Sequence, residues 1–326
     1  MSSRLSKRSA LTHSQARDGP RWAKAEMAAE AEHVEEAARA GRRLDGRSFT
    51  EPRALTLTSP TNPSLSGTNS SAHAKLQGSS ATSCLCAVKP ELTEPDTPCQ
   101  ASGSFRTSVE SLGTHESHRY LSSLLSECLS AGPSGSGAPF SYDRLVAASG
   151  KAVWTICCDA VMIDEPGGSD ACSLSLAASS SLQRADFPSV VESDRGELEL
   201  AENADSRWQL DLVPFVAIRV ARIATSLLVD PDTAEQRAAN AIVDIVVRKD
   251  GSFASVRIAC GSLSRADLRR SLTLAHTAGL GLLSEAEEQL QAQDRLAEYG
   301  SHGEGGAVRE RGEPEDDAMA EAKLTE

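Results

Sequence analysis

Aromatic side chains are scarce: six Phe, three Tyr and three Trp make up 4% of 326 residues. A hydrophobic core must then rest on Ala, Leu, Val and Ile, and nucleobases would find few rings to stack on. Basic residues are outnumbered, 33 Lys+Arg against 46 Asp+Glu, for a net charge of −13. That balance excludes a generally basic nucleic-acid coat but leaves room for a local basic path. No apolar run approaches the roughly 20 residues that a membrane helix needs. The N-terminus lacks the apolar middle region of a signal peptide. The eight cysteines form no Cys-x-x-Cys, and the tight pair Cys84-x-Cys86 has no nearby His to complete a zinc pattern. They read as reduced core thiols of a cytosolic or nuclear protein. There is no Walker A loop, no Gly-x-Ser-x-Gly elbow and no repeat at a solenoid period.

What is present suffices for a core, since 40% of the chain is hydrophobic. Residues 1–20 read as a disordered basic arm. A helix is expected over 21–41, because Ala23, Met27, Ala31, Val34 and Ala38 share one face and Gly41 stops it. Strands are expected at 53–57, 72–76 and 82–88, then a proline-rich loop over 90–98. Leu121, Leu124, Leu125, Cys128 and Leu129 repeat with helical spacing. Residues 152–163 are apolar on both alternating faces, which predicts a strand covered on both sides. A helix follows, with Ser169 or Asp170 as its cap. The six acids of the stretch 192–207 (Glu192, Asp194, Glu197, Glu199, Glu202 and Asp205) read as an exposed loop. Strands at 213–221, 225–229, 242–248 and 252–260 lead to a last helix from about Arg265, with an Asp-Gly hairpin turn at Asp250-Gly251. Residues 296–326 read as an acidic disordered tail. These patterns describe an α+β domain over 21–295, with mixed sheets packed with helices, and name no function.

Four segments, in order, resemble ribonuclease PH-like proteins. Arg43-Leu44-Asp45-Gly46-Arg47 is similar to that family's Arg-Pro-Asp-Gly-Arg motif, with Leu for Pro. Ala72-His73-Ala74-Lys75-Leu76, then Cys86-Ala87-Val88-Lys89-Pro90-Glu91, resembles its first hairpin. Gly150-Lys151-Ala152-Val153-Trp154 through Cys158-Asp159, then Asp170-Ala171-Cys172, resembles the central strand and helix of RNA exosome ring subunits. Ser226 to Glu235, with Val229-Asp230-Pro231, resembles the segment before the last hairpin. The resemblance implies one domain of two βα lobes (ribosomal protein S5 domain 2-like). It also implies a place in a six-membered ring with other ribonuclease PH-like subunits and RNA-binding cap subunits, in nucleus, nucleolus and cytoplasm. Single-stranded RNA would pass through the ring's channel for 3'-5' degradation and rRNA processing.

Active relatives hold phosphate with Gly-Gly-Thr-Arg at a helix N-terminus, where free N–H groups, the helix dipole and the Arg fork favour an anion. The corresponding stretch here is Gly167-Gly168-Ser169-Asp170, with an acid at the Arg position. Asp164 and Glu165 lie just upstream, and Phe187-Pro188-Ser189-Val190 lacks the acid that active relatives place there. The expectation is therefore no catalytic residue, no metal and no cofactor, with RNA gripped through its phosphates by Lys75, Lys89, Arg106, Arg119 and Lys151. An active phosphorolytic 3'-5' exoribonuclease, or an interaction protein of the same fold outside RNA decay, stays open at this point. His115 and His118 read as surface or capping side chains ahead of a metal pair. Asp159 reads as hydrogen-bonded at the edge of the helix layer or, second, as a relic of an active site.

Overall fold

The computed structural model describes residues 21–60, 68–78, 81–95, 102–111, 115–130, 137–164, 170–201 and 206–303. The expected basic arm at 1–20 therefore lies outside the described residues. The chain begins with α1 (Arg21–Arg39), β1 (Leu55–Thr58), β2 (Ser70–Leu76), β3 (Thr82–Thr93), β4 (Ser104–Glu110), α2 (His115–Leu129), β5 (Val146–Ala148), β6 (Ala152–Met162) and α3 (Asp170–Gln183). Short strands β7 (Asp186–Pro188), β8 (Val190–Glu192), β9 (Leu198–Leu200) and β10 (Arg207–Gln209) follow. The chain continues with β11 (Phe215–Ile223), β12 (Ser226–Val229), α4 (Thr233–Ala238), β13 (Ala241–Arg248), β14 (Phe253–Gly261) and α5 (Arg265–Gly303).

Gly41 ends α1 as expected. Its φ of +73° suits only a residue without Cβ strain, and Gly41 and Arg42 donate back to the carbonyls of Ala38 and Ala37 at 3.1 and 3.0 Å. The first lobe is a six-stranded sheet in the order β1-β2-β3-β6-β4, with β5 also on β6. Only the β4–β6 pairing is parallel. The second lobe is the antiparallel sheet β12-β11-β13-β14. α3 packs on β2 and β3 of one sheet and β11 of the other, and α2 bridges β4 and β14. On α2, Leu121, Leu124, Leu125 and Leu129 are buried. Each buried leucine contributes about 1.5–3 kcal/mol relative to exposure.

α3 is buried on every side from Ala171 to Leu182. Small residues let two sheets approach it closely, which is how a chain poor in aromatics fills its centre. Its serines do not stay unpaired. Ser175 Oγ accepts from the amide of Ala217 at 2.8 Å, and Ser179 Oγ accepts from that of Phe215 at 3.2 Å. α5 lies against β11 and β13 and reaches β1. There Gln289 and Gln293 stand in for a missing strand. Their amides bond Leu55, Leu57 and Ser59 of the β1 edge at 2.7–2.9 Å. An open sheet edge is thereby closed.

Several expectations need correction. β3 does not stop at Val88 but runs through Pro90 to Thr93. β2 ends opposite Val88, so β3 is an edge strand on that side beyond it, where proline is tolerated. β4, absent from the sequence reading, lies beside β6. The acidic stretch 192–207 is not simply a loop. Val190, Leu198 and Leu200 build the hairpin β8–β9, and Arg207 opens β10. α5 continues to Gly303, past the expected start of the tail at 296, because Ala, Glu, Gln and Leu propagate a helix well. Residues 304–326 lie outside the described residues.

Candidate nucleic-acid interface and degenerate anion site

The motifs at 43–47 and 226–235 meet in space. Arg43 has a fully buried side chain and grips Glu235 at both carboxylate oxygens, with Nε–Oε1 2.8 Å and Nη2–Oε2 2.6 Å. It also donates to the carbonyls of Val229 and Asp230 at 2.9 and 3.1 Å. Arg53 makes the same fork on Asp230, at 2.9 and 2.8 Å, and its backbone N–H adds a third bond at 2.7 Å. Arg47 joins Asp45 to Asp230. Asp230 has φ +50°, and α4 begins with a capping box between Asp232 and Glu235. This network ties the segment leading into the first sheet to the second lobe. The sequence reading singled out neither Arg53 nor Glu235 as part of a pair. The available signal was charged residues inside two otherwise apolar motifs.

The phosphate-site glycines Gly167 and Gly168, with Ser169 and Glu165, lie outside the described residues. Asp170 opens α3 and stands close enough to Arg219 of β11 to favour its charge. Arg219 is already engaged. Its Nε and Nη2 each reach Asp244 at 2.7 Å, and Nη1 reaches Gln236 at 2.8 Å. Burial opposes charge on Arg219, and the Asp244 carboxylate outweighs it, so the guanidinium stays protonated. Tyr120 donates its hydroxyl to Asp244, and burial, then that carboxylate, pushes its own ionisation up. Arg257 lies over the Tyr120 ring at 5.0 Å and pairs with Glu127. Arg219 and Arg257 are thus each matched to a carboxylate, and Asp170 adds a further negative charge. A phosphate here would compete with anions built into the protein. In the stretch after α3, Phe187 is buried and stacks on Trp208, 4.8 Å between centroids, while Ser189 bonds Ser206.

Of the expected RNA contacts, Lys75, Lys89 and Arg106 share one face of the six-stranded sheet. Lys89 and Arg106 lie in one row across β3, β6 and β4, both level with Cys157. Glu91 sits between them, 3.1 Å from Lys89 and 3.6 Å from Arg106, and Lys89 foremost holds its carboxyl below the usual range. Lys75 pairs with Ser83, six residues along β3 from Lys89, or about 20 Å at strand rise. Arg119 is exposed on α2, on the other side of the sheet, and Lys151 pairs with Glu192 at 2.7 Å. The five do not form one cluster. β6 is covered on both sides from Ala152 to Cys158 as expected, but not at its end, where Asp159 and Val161 are exposed on this face. Asp159 is therefore not at the edge of the helix layer, and it has no ion pair among the described residues. His118 bonds the carbonyl of Ser111 at 2.7 Å, and the His115 side chain lies outside the described residues. Among the described residues, no three possible ligands gather as a metal site.

Comparison with known proteins agrees with this architecture. Residues 214–278 match the family described as 3' exoribonuclease family, domain 2. Superposed on the archaeal exosome core, the chain gives a TM-score of 0.68 at 20% identity, covering 81% of this chain and 99% of that one. The fold is ribonuclease PH-like. A solved Archaeoglobus fulgidus exosome with RNA bound to the active site gives a TM-score of 0.64 at 20% identity, with 80% and 99% covered. Curated relatives agree in sequence. The exosome complex component Rrp42 of Sulfurisphaera tokodaii is 29% identical over 270 residues, 77% of this chain and 90% of the relative. Rrp42 of Saccharolobus solfataricus is 27% identical over 269 residues, with the same coverage.

Proposed function

We propose that this chain is a non-catalytic, structural subunit of an exosome core ring. It helps form the channel that binds and threads single-stranded RNA for 3'-5' degradation and rRNA processing. One observation supports the inactive reading above others: at the start of α3, an acid replaces the expected Arg, and Arg219 is spent on Asp244. Each carboxylate within about 10 Å would repel a bound phosphate by roughly a kcal/mol or more at intermediate dielectric. The partners are other ribonuclease PH-like ring subunits and RNA-binding cap subunits. The site of action is nucleus, nucleolus and cytoplasm. The Cys158-Asp159 pair and the Val229-Asp230-Pro231 segment favour the ring position numbered forty-three in the yeast ribosomal-RNA-processing series. Position forty-two is second, and similarity to archaeal Rrp42 weighs toward it.

Two measurements test the reading. Tagged chain should co-purify with ring and cap subunits identified by mass spectrometry, and recovery as a lone homo-oligomer would end it. Purified chain given single-stranded RNA, phosphate and Mg²⁺ should release no nucleoside diphosphate. Turnover that disappears with Asp170→Ala would show an active site after all.

A further inference from the structure

The start of α5 carries a group of charges that none of the expected contacts includes. Arg265, Arg269 and Arg270 are exposed on its first two turns. Ser271, Ala275, Ala278 and Leu282 turn the other side of the helix into the core. Arg222, near the end of β11, comes up beside them. One carboxylate lies among the four, Asp267, at 3.5 Å from Arg222 and 3.9 Å from Arg270. Both distances exceed a hydrogen bond. Asp267 instead accepts from the hydroxyl of Ser264 at 2.8 Å. Among the described residues, none of these guanidinium groups makes a side-chain hydrogen bond, and Nε of Arg222 is buried without an acceptor.

We infer that these arginines bind the sugar-phosphate backbone of single-stranded RNA without reading its sequence. Guanidinium forks fit phosphate oxygens, and the positive end of the α5 dipole adds to the attraction. Residues 261–275 contain no aromatic side chain, so contact is with the backbone and not by stacking. The exposed neighbours along the chain are Gly261, Ser262, Ser264 and Ala266, and the exposed apolar residues Val256 and Ile258 belong to β14, not to this turn. A protein interface would need an apolar centre, which the turn does not supply. The inference builds on the exosome reading, which supplies the RNA.

The test uses the full chain, alone and in its co-purified assembly, with a fluorescent oligouridylate across a KCl series. Arg265→Gln combined with Arg269→Gln should weaken binding about ten- to thirtyfold near 0.1 M salt. It should also flatten the log–log salt slope by about 1.4, at about 0.7 per lost contact. Arg270→Gln, a single exposed change, should give a smaller loss of the same kind. Unchanged affinity and slope would overturn the inference. So would displacement of the RNA by low-millimolar inorganic phosphate, which would mark a free-phosphate site. So would poly-aspartate binding that the double variant loses while RNA binding persists, which would mark an acidic protein partner. Co-purification of ring subunits is scored separately. If partners copurify with both forms and RNA binding is unchanged, this site falls and the ring reading stands. If partners copurify with neither and the variant still loses RNA, the reverse holds.

Discussion

Removing Glu235 should show whether the Arg43 network holds the two lobes together. In Glu235→Ala, the Arg43 guanidinium, fully buried, loses both carboxylate bonds at 2.8 and 2.6 Å and keeps carbonyl acceptors and the more distant Asp45 carboxylate at 3.7 Å. Stranding one member of a buried ion pair costs about 3–5 kcal/mol. The Glu235 half of the α4 capping box is also lost, while Asp232 still accepts from the backbone amide at 235. For a domain of this size, the ion-pair term alone lowers Tm by about 6–20 °C. Replacing both partners with apolar residues of similar volume, Arg43→Met with Glu235→Leu, should cost less than Glu235→Leu alone, because no buried charge is left stranded. Urea unfolding followed by tryptophan fluorescence reads the effect, since Trp154 lies in β6 of the first lobe and Trp208 in the separate β7–β10 ribbon. The double-mutant cycle should give a coupling energy within about 0.5–3 kcal/mol. A single variant within 1 kcal/mol of the parent (about the noise of such a comparison), or a double variant as weak as the sum of its parts, would refute the claim that this pair locks the lobes.

Gly261→Ala should be severely destabilised, because a Cβ there would sit 2.0 Å from the Asn240 carbonyl oxygen at φ +68°; soluble yield and Tm close to the parent would contradict this. Asp244→Asn should free Arg219 from its built-in anion, so that phosphate raises the Tm of the variant but not of the parent; an equal response in both would contradict the account of the degenerate site. The carboxyls of Asp45 and Asp250 lie below their ordinary value of 3.8: burial opposes this at Asp45 but Arg47 outweighs it, and Ser252 bonds Asp250. A lowered folded pKa adds stability that is present above the unfolded value and lost as pH falls through the folded one. Urea midpoints should therefore fall below about pH 4, and less steeply in Asp250→Asn; equal slopes would count against it. Burial pushes the thiols of Cys84, Cys128 and Cys172 far up, so iodoacetamide at about pH 8 should leave them unlabelled until the chain unfolds, as peptide mapping would show.

Periodicity revealed most of the elements but not their neighbours. The leucine stripe of α2 and the Asp-Gly turn before β14 depend on residues close in sequence, and both are found in the fold. β4 was missed because Ser104-Phe105-Arg106-Thr107-Ser108-Val109-Glu110 buries fully only Val109 of its seven residues. Its strand character comes from lying beside β6, which no local window contains. β6 misled for the opposite reason. Its residues are apolar on both faces and buried on both from Ala152 to Cys158, yet Asp159 and Val161 at its end look out over an open sheet. The expected RNA contacts suffered similarly: Lys75, Lys89 and Arg106 do share a face, while Arg222 and the arginines of α5, proposed above, are brought together only by the second lobe's packing.

The motifs that carry the resemblance and the stretch that departs from it perform different physical jobs. Arg43, Arg47 and Arg53 meet Asp230 and Glu235 in one ionic network. Breaking the Arg43–Glu235 or Arg53–Asp230 fork removes the main partner of a buried charge, so these residues bear on whether the fold holds. The start of α3 has the opposite character. An anion site needs an unspent cation, and here Arg219 and Arg257 are matched to Asp244 and Glu127 beside Asp170. Internal carboxylates satisfy those guanidinium groups without any ligand, so the fold no longer depends on a phosphate to balance them. A chain built this way keeps the ribonuclease PH-like architecture with Arg219 and Arg257 balanced by its own carboxylates. On the proposed reading, what it offers RNA lies on its surfaces: the open sheet face of Lys89 and Arg106, and the arginines at the start of α5, which share the single carboxylate of Asp267.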